Sequence, residues 1–188
     1  MACFTTLYSG SSGNCAFLEE DGRFVLVDMG KSARATMRAL TQLGAQAKRL
    51  CGVMVTHEHS DHIAGLAVFL KKNPVPVYGT QATLQVLAQR GCVPPGVRLV
   101  PTDGRGEVDA GGFCVQSFST SHDSADCCVF RVRTPQGKTL AIATDLGYVS
   151  DEVLANLYMA DVVALEANYD LHMLMHGPYP YYLKTRIA

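Results

Sequence analysis

Apolar residues recur along this chain in two rhythms. Short runs bounded by turn residues predict strands: "CFTTLYS", "CAFLEE" and "FVLVD" near the start, then "LCGVMVT" and "PVYGT". "GFCVQSFST", "CCVFRVRT", "TLAIAT" and "DVVALEA" read the same way further on. Asp21-Gly22 is the tight-hairpin dipeptide between the second and third runs, and "PQGK" joins two later ones. Helical spacing alternates with these runs. Ser32 is placed to cap a helix through Leu43, with Ala33, Met37 and Leu40 on its apolar face and Gly44 as its stop. A second helix is predicted from about Ile63 to Lys72, ended by Asn73-Pro74. Thr80 caps a third through Arg90, Ser150 a fourth through about Met159. The tail from Leu171 reads as helical, broken by Gly177-Pro178 and Pro180. Hairpins mixed with crossovers predict an α+β architecture, with sheets packed together and helices outside.

Composition narrows the class. At 188 residues the chain is expected to form a single domain over 1–188. It is 48% apolar and 18% charged, which argues for a packed core rather than disorder. A formal net charge of −1 gives no global pull toward polyanions, so an anionic substrate needs local contacts. The start "MACFTTLYSG" lacks the basic and apolar regions of a signal peptide, and no run approaches a membrane span. Seven cysteines without any C-x-x-C read as reduced, mostly buried thiols of a cytoplasmic protein. Cys127 and Cys128 are adjacent on a predicted strand and so face opposite sides.

The chemistry concentrates in "VMVTHEHSDHIAG". Residues 57–62 hold three of the chain's six histidines and two carboxylates. His57 and His59 are two apart and share one side of an extended chain, while Glu58 and Ser60 point away. The following turn swings Asp61 and His62 toward the same spot. These are too many ligands for one small ion with an open position, and they suit two adjacent ions. Imidazole with carboxylate favours zinc, manganese or iron over calcium or magnesium. Elsewhere, strand-like runs end in Asp28, Asp145 and Glu166, and another ends near His122. A carboxylate closing an apolar run requires a cation or hydrogen-bond donors.

H-x-H-x-D-H after a buried strand resembles the metallo-β-lactamase superfamily. "YSGSSGNC", "FVLVDMG", "VTHEHSDHIAG", "STSHDS", "ATDLGYV" and "ALEANYD" through "GPYPYYLKTRI" follow the order of its YycJ (WalJ)-type branch. The resemblance implies a four-layer αββα sandwich with metals at one edge of two sheets. It implies His57, His59 and His122 as ligands of a first metal and Asp61 and His62 of a second, with Asp145 bridging. It implies Asp28 as the buried acid behind the ligands, and a DNA exonuclease working 5′ to 3′. Two features depart from the family. Tyr169 stands where histidine is usual. The family's last ligand, in a "GHLSN"-like stretch, lies beyond the point where this chain stops. The second metal site is therefore expected to be weak or empty, and the C-terminal part of the fold to be missing.

A hydroxide held between two metals, oriented by Asp61, is expected to attack phosphorus in line. "SGSSGN", with Ser11, Ser12, Gly13 and Asn14, serves as an anion contact or as a tight inter-strand turn, and the two are compatible. Lys184 and Arg186 are candidate DNA contacts. His172 and His176, four apart, share a helix face and read as partly exposed rather than as replacement ligands. The same site chemistry also suits an ester, thioester or lactone, and a catalytically impaired metal-binding interaction module is the non-enzymatic rival. Antibiotic hydrolysis is the least favoured reading.

Overall fold

Asp21 and Gly22 adopt φ of 54° and 74°, the two left-handed residues that a tight hairpin turn needs. They join β2 (Cys15–Glu20) to β3 (Arg23–Val27), with Glu20 opposite Arg23. The computed structural model describes residues 1–103, 106–166, 171–182 and 184. Among them β1 (Cys3–Tyr8), β2, β3, β4 (Leu50–Met54), β5 (Val77–Gly79) and β6 (Leu99–Pro101) form a six-stranded sheet in that order. The first three strands are antiparallel; β3 to β6 run parallel, so their carboxyl ends share one edge. The crossovers are α1 (Ala33–Gln42), then α2 (Ser60–Ile63) with α3 (Leu66–Lys72), then α4 (Gln81–Gln89).

The second sheet has five strands in the order β11 (Val162–Leu165), β10 (Thr139–Ala143), β9 (Cys128–Arg133), β8 (Phe113–Ser119), β7 (Val108–Ala110). α5 (Asp151–Tyr158) crosses from β10 to the parallel β11, and α6 (Leu171–His176) follows.

Side-chain alternation decides the layers. Phe24 and Leu26 of β3 pack against Leu40, Leu66, Phe69 and Leu84 of the helices. Val25 and Val27 face the other way, into a core shared with Phe113, Val115, Phe130, Val132, Leu140 and Ile142 of the second sheet. On the far side of that sheet, Val129, Ala141 and Ala143 meet Val153 and Leu157 of α5. The order is helix, sheet, sheet, helix, as the sequence resemblance implies. Arg131 completes the last contact by donating to the Asn156 and Met159 carbonyls at the end of α5. No helix among the described residues is long and apolar enough to cross a membrane.

Local signals behaved as their chemistry demands. Ser32, Thr80 and Ser150 cap α1, α4 and α5 by accepting from the N–H groups of Ala35, Thr83 and Val153. The segment predicted as one helix from Ile63 differs: helix starts at Ser60 and is interrupted at Gly65. A Cβ there would lie 2.1 Å from the Lys31 carbonyl oxygen, and the Gly65 N–H donates to Met29 instead. Asp61 and His62 therefore sit on a short helix rather than on a turn before one. The strands β6 and β7, three residues each, were not predicted.

Candidate metal centre

Each candidate ligand follows the carboxyl end of a strand; β3 and β4 run parallel, β8 and β10 run the same way on either side of β9, and stacking of the two sheets brings these ends to one edge. Asp28 follows β3; His57, His59, Asp61 and His62 follow β4; His122 follows β8; Asp145 follows β10. Cys128 N–H donates to the Thr56 carbonyl at 3.2 Å and stitches the two sheets together beside them. Ligand clefts in α/β sheets gather at such edges because the loops there are free of the ladder.

Two ligand groups converge. His57, His59 and His122 offer atoms lying within 4.8 Å of one another, and so do His57, His62 and Asp145. His57 belongs to both. His59 Nδ1 and His122 Nε2 are 3.2 Å apart. His62 Nε2 lies 3.0 Å from Asp145 Oδ2 and 3.5 Å from Asp61 Oδ2. Asp61 thus borders the second group through His62 but belongs to neither. The Asn14 amide nitrogen stands 3.1 Å from His62 Nε2 and 3.4 Å from Asp61 Oδ2.

Asp28 sits behind the ligands. It is 2% exposed, and its φ of 61° turns the carboxylate inward. Oδ1 accepts from the Thr56 N–H at 2.9 Å; Oδ2 accepts from the Thr56 hydroxyl at 2.9 Å and meets His62 Nδ1 at 2.8 Å. The Thr56 hydroxyl also reaches His57 Nδ1 at 3.1 Å, and Cys127 Sγ lies 3.7 Å from the same nitrogen. Asp145 too has a left-handed backbone, with φ of 54°, and its N–H donates to Glu166 at the end of β11.

Burial and charge set the protonation states. Burial, reinforced by the neighbouring His62, lowers the His57 pKa to about 4. Burial also lowers His122. At His62 burial pulls downward, but Asp28 and Asp145 together outweigh it and push the pKa up to about 10. Asp145 is raised by burial and lowered more by its hydrogen bond and charge contact with His62, so the net shift is downward.

The residues fit divalent cations. His57 Nε2 is buried with no hydrogen-bond partner among the described residues. An orphaned buried nitrogen is costly unless something satisfies it, and a cation does. His57 and His122 are shifted toward the neutral form that binds metal. The groups supply three imidazoles, and two imidazoles with a carboxylate, which suit zinc, manganese or iron.

The centre opens onto a cleft of about 750 Å³ between the β1 and β11 edges, into which Asp61, Asp145 and Glu166 face. Ser11 and Asn14 line it. Ser12 and Gly13 do not. The Ser12 hydroxyl accepts from Lys31 Nζ at 2.8 Å. Gly13, at φ of 141°, presses on Gly30, where a Cβ would come within 2.6 Å of the carbonyl oxygen. The His172 and His176 rings stack at 4.1 Å on an exposed face and join neither ligand group. Lys184 Nζ donates to the Met175 carbonyl. Tyr169 and Arg186 lie outside the described residues.

Sequence reasoning passed over Thr56 and Lys31, read Cys127 as a strand-packing thiol where it lies against His57, and gave Glu166 no role. Glu166 alone carried a signal: a carboxylate closing an apolar run needs donors, and the Asp145 N–H is one.

Two helix-flanked sheets with histidine and carboxylate groups gathered at one edge define a metallo-β-lactamase fold. Matching solved structures include the metallo-beta-lactamase fold protein YhfI from Bacillus subtilis, with a TM-score of 0.72 at 20% identity. That match covers 89% of this chain and 71% of YhfI. The beta-lactamase superfamily domain matches residues 23–179, and the chain belongs to that superfamily. It is 36% identical to exodeoxyribonuclease YycJ of Bacillus anthracis, over 98% of this chain and 69% of the relative. Identity to exodeoxyribonuclease WalJ of Streptococcus pneumoniae is 33%, with the same two coverages.

Proposed function

We propose that this chain is a metal-dependent phosphodiesterase that degrades DNA from the 5′ end, working as one domain in the cytoplasm. The observation that carries the reading is the pair of ligand groups sharing His57, one of which reaches the cleft through Asp145. The exodeoxyribonuclease relatives support the substrate class. The seven free thiols support the compartment.

His57, His59 and His122 would hold one cation. His62 and Asp145, with Asp61 beside them, would hold a second, and Asp145 would serve as the bridging carboxylate. Zinc or manganese here would supply a water acidified to a pKa of about 7 and would neutralise charge on a phosphoryl group. The carboxylates of Asp61, Asp145 and Glu166 would otherwise repel a nucleic acid from the cleft, so a polyanionic substrate needs that neutralisation.

The chain's own groups do the rest. Asp28 fixes the His62 ring through Nδ1 and leaves Nε2 facing the site. Asp61 would orient the attacking hydroxide toward phosphorus. Asn14 and Ser11 offer an amide and a hydroxyl to phosphate oxygens along the cleft wall. Glu166, by accepting from the Asp145 N–H, keeps the Asp145 carboxylate turned toward His62.

The test is to load the protein with manganese or zinc and supply 5′-end-labelled DNA, bis-p-nitrophenyl phosphate and an aryl ester. Release of label from the DNA end and turnover of the diester are expected. Ester turnover without diester cleavage would assign the site to a small ester, thioester or lactone instead. Metal uptake without any turnover would leave a binding module.

A further inference from the structure

Glu58 lies inside the histidine cluster yet outside every ligand group. It is 6% exposed, and chain alternation sends its side chain away from His57 and His59. Its Oε1 accepts from the Ala125 N–H at 2.9 Å. Ala125 belongs to the loop between β8 and β9, three residues beyond His122. A buried carboxylate therefore reaches from the segment carrying two imidazoles to the loop carrying the third.

That loop has further ties at its base and far end, and the Gly147 N–H donates to the Ser121 carbonyl at 2.7 Å beside His122. Thr120 N–H donates to Cys127 at 2.8 Å, and Ser124 N–H donates to the His122 carbonyl at 2.9 Å. Thr80 and Thr83 hydroxyls each donate to the Asp126 carbonyl at 3.1 Å. Arg90 Nη1 donates to the Glu58 carbonyl at 3.2 Å, which steadies Glu58 from the other side. Glu58 is a direct side-chain link between the two ligand-bearing segments. Imidazole nitrogens 3.2 Å apart gain little from each other unless a proton or cation lies between them. The loop must be held by outside bonds if His122 is to be in place before an ion arrives.

We propose that Glu58 is a positioning residue: it straps the His122 loop against His57 and His59 and so sets how tightly the three-imidazole group holds a cation. The proposal rests on the metal reading above. Hydrogen bonds behind metal ligands typically govern affinity by about 10–100-fold.

The test compares Glu58→Gln, which keeps an acceptor oxygen at the same reach, with Glu58→Ala and Glu58→Asp, which do not. Zinc affinity is measured on folded protein by competition with a chromophoric chelator. Exchange of the Ala125 amide is followed in metal-free protein. Weakening of about 10–100-fold is expected for E58A and E58D, with E58Q within about threefold of wild type. Faster Ala125 exchange should accompany E58A and E58D alone. E58D keeps the charge and nearly all the volume, so it carries the test if E58A fails to fold. Wild-type affinity in E58D, or equal loss in E58Q and E58D, would overturn the strap. Failure of the wild-type protein to take up zinc would instead overturn the metal reading itself.

Discussion

Asp28 Oδ2 and His62 Nδ1 meet at 2.8 Å with both side chains sealed from solvent, the carboxylate 3% exposed and the imidazole 0%. The pair joins the end of β3 to the short helix after β4, and the imidazole's other nitrogen faces Asp145. A buried carboxylate with three partners on one side thus orients the central ligand of the second group.

Asp28→Asn should weaken metal binding at the His62 group by about 10–100-fold, because the amide cannot restrain the ring as a carboxylate does. Asp28→Ala leaves the Thr56 N–H unpaired and His62 Nδ1 without its carboxylate, and breaking such a buried pair costs about 3–5 kcal/mol. Chelator competition measures the first effect and urea denaturation of metal-free protein the second. Equal metal affinity in D28N would show that the ring is held by its packing alone.

The stability of metal-free protein should peak near neutral pH. The His57 pKa falls from its ordinary 6.5 to about 4 in the fold, so the unfolded chain binds the extra proton between those values. Stability from this group is full above 6.5 and drains away as pH falls toward 4. The His62 pKa rises from 6.5 to about 10, so its contribution is full below 6.5 and is lost as pH climbs through 10. Denaturation midpoints of chelator-treated protein across pH 4–10 should trace a maximum between the two limbs. In D28N the alkaline limb should flatten, since the largest raising charge on His62 is gone.

Metal loading at pH 8 should release about one proton per chain from His62, which must be neutral to ligate. Calorimetric titration in two buffers of different ionisation enthalpy reads this directly. Asp28→Asn should reduce the release, and His122→Ala should leave it intact, because His122 belongs to the other group.

His57→Ala should abolish uptake at the group of His59 and His122 and weaken it at the group of His62 and Asp145, whereas His59→Ala or His122→Ala should spare the latter. The expected loss for H57A exceeds the about 100-fold ceiling of an outer hydrogen-bond partner. Metal content after gel filtration, read by mass spectrometry, distinguishes these patterns.

Gly30→Ala should damage the site from a distance. An added Cβ would fall 1.6 Å from the Asp61 carbonyl oxygen and 2.5 Å from the Asn14 nitrogen. Overpacking of this kind costs about 1–3 kcal/mol or more. It also displaces the Asp61 backbone, which accepts from the Asn14 N–H at 2.7 Å. A lower denaturation midpoint together with reduced diester turnover is the expected outcome.

Much of this was legible locally. Ser32, Thr80 and Ser150 cap their helices through their own backbone neighbours, and Asp21-Gly22 turns its hairpin by conformational preference alone. Alternation in "FVLV" and "CVFRV" already separates two faces, so stacked layers follow from the pattern. The break at Gly65 was invisible because its cause, the Lys31 carbonyl, lies 34 residues earlier in the chain. β6 and β7 were missed because three residues carry too little alternation, and each is held as a strand by a neighbour.

The sequence by itself determined the donors: three histidines and an aspartate in six residues, carboxylates at the ends of apolar runs, and a family motif too dense to be a surface turn. Only the tertiary structure decided how they are divided. It makes His57 common to both groups, holds Asp61 at their margin, turns Ser12 and Gly13 away from the cleft, and gives Glu58 and Glu166 backbone amides to hold. The physical reason is that donor chemistry is a property of each residue. Grouping depends on distances between the ends of strands that lie far apart in the chain, and parallel pairing and sheet-on-sheet packing set those distances.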